Sequence, residues 1–227
     1  MPLRAVVFDF DGVIANSEPL HYRAFRDVLA ANALTLTETD YYAQYLGYDD
    51  VGVFERFGSQ AGTGWGGKEV RALVMEKARR MEVLERDTSV LFPGAEMAVR
   101  RVAAAVPIAI ASGALGAEIR RVLDHAMLTS LFSAIVAAED TPVSKPAPDP
   151  YRCAVERLAA MHDGLREDEC VAIEDSIWGL ESARRAGLRT IGITHTYSRA
   201  VLSSLADLVI ESLDEVRIAP ISQLFGQ

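Results

Sequence analysis

Four short segments carry side chains whose type and spacing could do chemistry. The first is Phe8-Asp9-Phe10-Asp11-Gly12, at the end of an apolar run. On an extended chain residues two apart share a face, so Asp9 and Asp11 project together while Phe10 turns toward the interior. Two carboxylates a few ångströms apart repel unless a cation sits between them or one takes a proton, and either outcome is chemically useful. Gly12 permits the tight backbone needed just beyond them. The second segment is Ser112-Gly113, where a hydroxyl and free backbone N–H groups could hold an anion. The third holds Lys145 in a loop stiffened by Pro146, Pro148 and Pro150, just ahead of a helix start. It is one of three lysines, with Lys68 and Lys77. The fourth, Glu174-Asp175-Ser176, closes an apolar run and opens a helix. Alone, each has an ordinary alternative: solvated turn aspartates, a Ser-Gly turn, a surface lysine, an acidic helix start. Together they supply the carboxylates, hydroxyl and ammonium that Mg²⁺-dependent phosphoryl transfer requires.

The elements that must position these residues are legible as an alternation. Apolar runs at Ala5 to Phe8, Ile108 to Ala111, Ala134 to Ala137, Val171 to Ile173, Thr190 to Ile193 and Leu208 to Ile210 are separated by helical patterns. That alternation predicts an α/β fold, a Rossmann-like parallel sheet whose strand ends gather the four segments at one edge. Asp149 with Pro150 reads as an N-cap followed by a first-turn proline, and Ser176 and Gly187 bracket another helix. Residues 15–88 break the alternation. They read as helices at Pro19 to Ala31, Glu38 to Leu46, Val51 to Phe57 and Glu69 to Arg86, so a helical domain is expected to be inserted in a core formed by 1–14 and 89–227.

The order FDFDGV, ASG, SKPAPDP, EDSIWG, with a helical insert after the first, resembles the haloacid dehalogenase superfamily of phosphatases and phosphomutases. It is most similar to the helical-cap branch that includes β-phosphoglucomutase and phosphoglycolate phosphatase. The resemblance implies a Mg²⁺-dependent phosphatase acting on a small phosphorylated metabolite. It implies Asp9 as the nucleophile that becomes an aspartyl phosphate, and Asp11 as general acid and base. Ser112 and Lys145 would hold the phosphoryl oxygens. Asp9, the Asp11 main-chain carbonyl, Glu174 and Asp175 would hold Mg²⁺. Gly12, Gly113 and the hinge histidine His21 would contact substrate.

Within that branch, Gly47-Tyr48-Asp49-Asp50 carries acid where β-phosphoglucomutases carry an arginine that grips a second phosphate. Monophosphate hydrolysis is therefore expected ahead of a sugar phosphomutase, which would need a basic group elsewhere in the cap. Dehalogenase chemistry is disfavoured by Asp11. A phosphonate hydrolase would want a Schiff-base lysine in this same region, and none stands there. A non-catalytic phospho-receiver module is a further alternative, disfavoured by the large cap and by Asp11. Tyr41, Tyr45 and Tyr48 have the spacing of one helical face, for packing or for lining a pocket. Gly62 to Lys68 imitates the start of a P-loop, but Glu69 follows where Ser or Thr is needed and no buried strand precedes, so it reads as a loop. His125, His162 and His195 have no evident partners and receive no role.

The whole chain has 227 residues, half of them hydrophobic, and a formal net charge of −9. Core-forming material is ample, and the acidic balance argues against a nucleic-acid partner. Cys153 and Cys170 show no metal or disulfide spacing, no apolar window reaches membrane-spanning length, and the opening MPLRAVVFDF lacks the apolar stretch and small-residue cleavage site of a signal peptide. A reduced, cytoplasmic enzyme with no membrane partner is expected, as monomer or homodimer.

Overall fold

A computed structural model of the chain describes residues 2–46, 48–85 and 90–226. The chain forms two compact units, Met1–Asn16 with Val90–Gln227, and Ser17–Ser89. Of the sequence expectations, Gly47, Arg86 and the boundary at 88/89 fall outside the described residues.

The first unit is built on a six-stranded sheet: β1 (Ala5–Phe8), β2 (Ile108–Ala111), β3 (Ala134–Val136), β4 (Cys170–Glu174), β5 (Arg189–Ile193) and β6 (Leu208–Ile210). The order is β3-β2-β1-β4-β5-β6 and every pairing is parallel. All residues of β1, β2 and β4 are buried, as a sheet covered on both faces demands. Chain order reverses direction between β1 and β4, where Phe8 pairs with Ile173, so the open crevice of such a sheet lies at their carboxyl ends.

The helices are α1 (Glu18–Ala31), α2 (Glu38–Gln44), α3 (Asp50–Ala61) and α4 (Gly67–Glu85) in the second unit, then α5 (Ala95–Ala103), α6 (Gly116–His125), α7 (Asp149–Ala159), α8 (Ile177–Arg185), α9 (Arg199–Leu202) and α10 (Ile218–Ser222) in the first. Ser176 caps α8 by accepting the Gly179 N–H at 3.0 Å, and Gly187 follows that helix at φ +91°. Asp149 is not a cap: α7 begins on it, and the position before it is Pro148. Ala137 lies one residue beyond β3, and the pseudo-P-loop is a loop up to Gly66 with α4 beginning at Gly67.

The helical unit has its own core, with Phe25, Leu29, Tyr41, Tyr45, Phe54 and Phe57 among its buried side chains. Phe25 and Phe54 meet edge to face with centroids 5.1 Å apart. Tyr48 does not share the face of Tyr41 and Tyr45. Helix α2 stops at Gln44, so the helical spacing no longer holds, and Tyr48 is exposed with its hydroxyl accepting from Arg56 at 2.9 Å.

Candidate active site

The end of β1 and the end of β4 bring acidic groups together. Asp9 follows β1 directly, and its N–H donates to the Ile173 carbonyl at 2.9 Å, which extends the β1–β4 pairing by one residue. Glu174 is the last residue of β4 and is fully buried. Carboxylate oxygens of Asp9, Glu174 and Asp175 all lie within 4.8 Å of one another. Lys145 bridges two of them, with Nζ 2.8 Å from Asp9 Oδ1 and 2.6 Å from Glu174 Oε1.

Glu174 is held on every side. Tyr151 of α7 donates its hydroxyl to Oε1 at 2.9 Å, while the Asp175 and Ser176 N–H groups and the Ser176 hydroxyl donate to Oε2 at 3.0 to 3.2 Å. Space for this carboxylate exists because residue 179 is glycine: a Cβ there would stand 1.7 Å from Glu174 Oε1. Gly12 plays the same part for Asp175. It adopts φ +78°, and a Cβ on it would approach Asp175 Oδ2 to 2.0 Å. The Thr196 hydroxyl donates to that same oxygen.

Crowding has electrostatic consequences. Burial, then the Glu174 charge, pushes Asp9 up to about 7 against the opposing pull of Lys145. Burial, then Glu174 and Asp9, lifts Asp175 well above the usual carboxylate range. Burial opposes the Lys145 charge, but the facing Asp9 and Glu174 carboxylates overcome it and raise its pKa. Three hard oxygen donors crowded within reach of one another, with one ammonium among them, fit a hard divalent cation.

The other sequence candidates are distributed as follows. Ser112 is buried just past β2, the strand beside β1, and its Oγ accepts the Ala114 N–H at 3.0 Å. Gly113 is exposed, and a Cβ added there would meet nothing within 4 Å. Asp11 is half-buried in the turn after Asp9 and bridges to Ala15. β1 has ended by then, so the Asp9–Asp11 relation is set by this turn and not by a strand pleat. His21 belongs to the helical unit, where its Nδ1 lies 2.7 Å from the Nζ of fully buried Lys77. Lys77 is also paired with Asp50 at 2.9 Å.

Sequence reasoning passed over Tyr151, Thr196, His195 and Lys77. Tyr151, Ala154, Val155 and Leu158 make an i, i+3, i+4, i+7 stripe, which marks Tyr151 as facing the sheet, where a buried hydroxyl needs a partner. Lys77 sits on the α4 face shared by buried Val70 and Met81, where a lysine is out of place. His195 does have partners: Nδ1 is 2.8 Å from the Gly12 carbonyl, and the ring stacks on Phe92 with centroids 3.9 Å apart.

Comparison with known proteins gives the chain its family. Residues 6–193 match the family model for haloacid dehalogenase-like hydrolases. The chain belongs to that family. It is an enzyme of the phosphoric monoester hydrolase class. Protein CbbY of Rhodobacter capsulatus is 31% identical, over 99% of this chain and all of the relative. Hexitol phosphatase B of Escherichia coli strain K12 is 30% identical over 93% of each. Among solved structures, CbbY of Rhodobacter sphaeroides in complex with phosphate superposes with a TM-score of 0.80 at 25% identity, covering 95% of this chain and 96% of that one. β-Phosphoglucomutase of Clostridium difficile shares the fold, with a TM-score of 0.84 at 20% identity, covering 99% of this chain and 97% of that one.

Proposed function

We propose that the chain hydrolyses the phosphate monoester of a small sugar-like or polyol-like metabolite with the help of Mg²⁺. The observation that carries this reading is the Asp9, Glu174, Asp175 and Lys145 cluster at the β1/β4 switch point. Asp9, Glu174, Asp175 and the Asp11 carbonyl would hold the ion. When bound, Mg²⁺ supplies positive charge that neutralises the phosphoryl oxygens and keeps the crowded carboxylates ionised.

Asp9 then attacks phosphorus, and the ester oxygen leaves as Asp11 gives it a proton. The phosphoryl group now sits on the Asp9 carboxylate. Asp11, having lost its proton, takes one from a water, which attacks the aspartyl phosphate and frees inorganic phosphate. Lys145 and Ser112 hold phosphoryl oxygens throughout, with the backbone at Gly12 and Gly113 close by, and the family resemblance makes His21 a further candidate substrate contact. Phosphoryl transfer depends mostly on positioning and charge neutralisation, so a lysine fixed between two carboxylates suits the task.

A sugar-type substrate rests on the relatives, since the chain resembles proteins named hexitol phosphatase and fructose-1-phosphate phosphatase. A second reading is a sugar phosphomutase or a bisphosphate phosphatase. Lys77 is a basic group of the kind those substrates would need, and CbbY of Rhodobacter sphaeroides has been solved with xylulose-1,5-bisphosphate. Against it, Asp50 already neutralises Lys77 within the helical unit. A phosphate-release screen over sugar, hexitol and glycolytic monophosphates, with xylulose-1,5-bisphosphate as a separate arm, tests the proposal beside Asp9→Asn and a chelator. Release that survives either treatment overturns the mechanism. Conversion of glucose 1-phosphate in a bisphosphate-primed isomerisation assay would select the mutase instead.

A further inference from the structure

His195 stands in the loop after β5, and Gly12 and Phe92, which it contacts, both belong to the sheet-bearing unit. A carbonyl oxygen only accepts, so the 2.8 Å contact to the Gly12 carbonyl requires the proton on Nδ1 and fixes the tautomer. Burial lowers the His195 pKa against the pull of that bond, which is consistent with a neutral ring. The same ring lies nearly parallel to Phe92, at an interplanar angle of 15°. Phe92 is itself tied to the chain beyond the turn, its N–H donating to the Ile14 carbonyl at 2.9 Å. The next residue, Thr196, holds Asp175.

These contacts converge on the most pliable point of the site. Gly12 has φ +78° and no side chain, so its flanking peptides can rotate at little cost. Its N–H is tied to the Ala15 carbonyl at 2.9 Å and its carbonyl to His195. With both ends fixed, the preceding peptide, which carries the Asp11 carbonyl, is fixed as well. We infer that His195 is a positioning residue: its Nδ1–H bond to Gly12, braced by the Phe92 ring, sets the orientation of the Asp9–Gly12 turn and so of the groups that turn presents. The inference rests on the proposed phosphatase reading only for the consequence in activity; its structural half stands without it.

Two substitutions separate the two contacts. His195→Asn keeps an amide N–H near the position of Nδ1 and removes the aromatic face; His195→Phe keeps the face and removes the donor. The first readout is hydrogen exchange of the Gly12 amide by NMR in the metal-free protein. We expect exchange faster by about tenfold or more in the Phe variant, with most protection restored in the Asn variant. The second readout is Mg²⁺ affinity by calorimetry together with kcat and KM on whichever monophosphate the wild type hydrolyses. The Phe variant should bind Mg²⁺ and turn over about 10- to 100-fold worse with KM nearly unchanged, and the Asn variant should recover most of both. Unchanged Gly12 exchange in the Phe variant overturns the inference, as does equal impairment of both variants in step with a lowered Tm. A wild type that neither binds Mg²⁺ nor loses activity on Asp9→Asn would instead overturn the phosphatase reading, and the exchange experiment would still decide the role of His195.

Discussion

The carboxyl of Asp9 is held near neutrality by its surroundings, and that has a measurable consequence. A cation entering the cluster must displace protons that burial and Glu174 keep on Asp9, at about 7, and on Asp175. Mg²⁺ binding at pH 7 is therefore expected to release protons, to weaken as pH falls, and to release fewer as pH rises. Calorimetry in buffers of different ionisation enthalpy measures this, and a binding heat independent of buffer would contradict it. Tyr151 offers a second test at this scale. Tyr151→Phe conserves volume in the core but removes one donor from Glu174, so about a tenfold loss of kcat with Tm nearly unchanged is expected. The four acidic residues and Ser112 were legible as candidates because their types stand at or just past the ends of apolar runs, and Lys145 because it is one of only three lysines and sits in a proline-stiffened loop. Tyr151 and Thr196 were not, because each is an ordinary residue whose importance lies in one hydroxyl directed at a carboxylate many positions away.

Helix α8 shows how an element carries the site. Its cap, Ser176, accepts from Gly179 and donates to Glu174, so one hydroxyl both starts the helix and orients a carboxylate. Ser176→Ala should cost about 1 kcal/mol of stability, read from denaturant unfolding, along with some activity. Gly179→Ala should behave differently. Alanine favours the helix by up to about 1 kcal/mol, but its Cβ would stand 1.7 Å from Glu174 Oε1 and force that side chain away. The expected result is a variant that folds with activity reduced by about 100-fold or more; full activity would show that Glu174 tolerates displacement. The strands were readable to within a residue because buried parallel strands are continuous apolar runs. Tyr48 misled because a spacing of 41, 45 and 48 counts only while the helix lasts, and α2 ends at Gln44. Asp149 misled because a helix can begin on an acidic residue as readily as be capped by one.

At the scale of the molecule, buried ionisable groups couple stability to pH. Burial, and then the Lys77 charge, holds His21 well below its ordinary 6.5 in the folded chain. As pH falls through 6.5 the unfolded chain binds this proton and the folded one does not, so His21 destabilises the fold increasingly on the acid side and contributes nothing well above that pH. Glu18 works in the opposite direction. Burial raises it from 4.5, so its stabilising contribution is present at low pH and fades as pH rises through the raised value. Comparing wild type with His21→Gln isolates the histidine: their stability difference should be flat above about pH 7 and change by up to about 1.4 kcal/mol per pH unit below 6.5. Parallel curves would remove His21 as the cause.

The sheet order also sets a schedule for synthesis. β1 is made first, yet its two neighbours follow roughly 100 and 165 residues later. The helical unit, which has its own core, emerges from the ribosome in between. Until β2 and β4 arrive, the segment Ala5–Phe8 is an apolar strand with both edges open, the kind of segment that invites wrong partners. The residue proposed to attack phosphorus thus spends most of translation waiting, and a chain released before Cys170 would carry Asp9 with neither the strand nor the carboxylates that give it meaning.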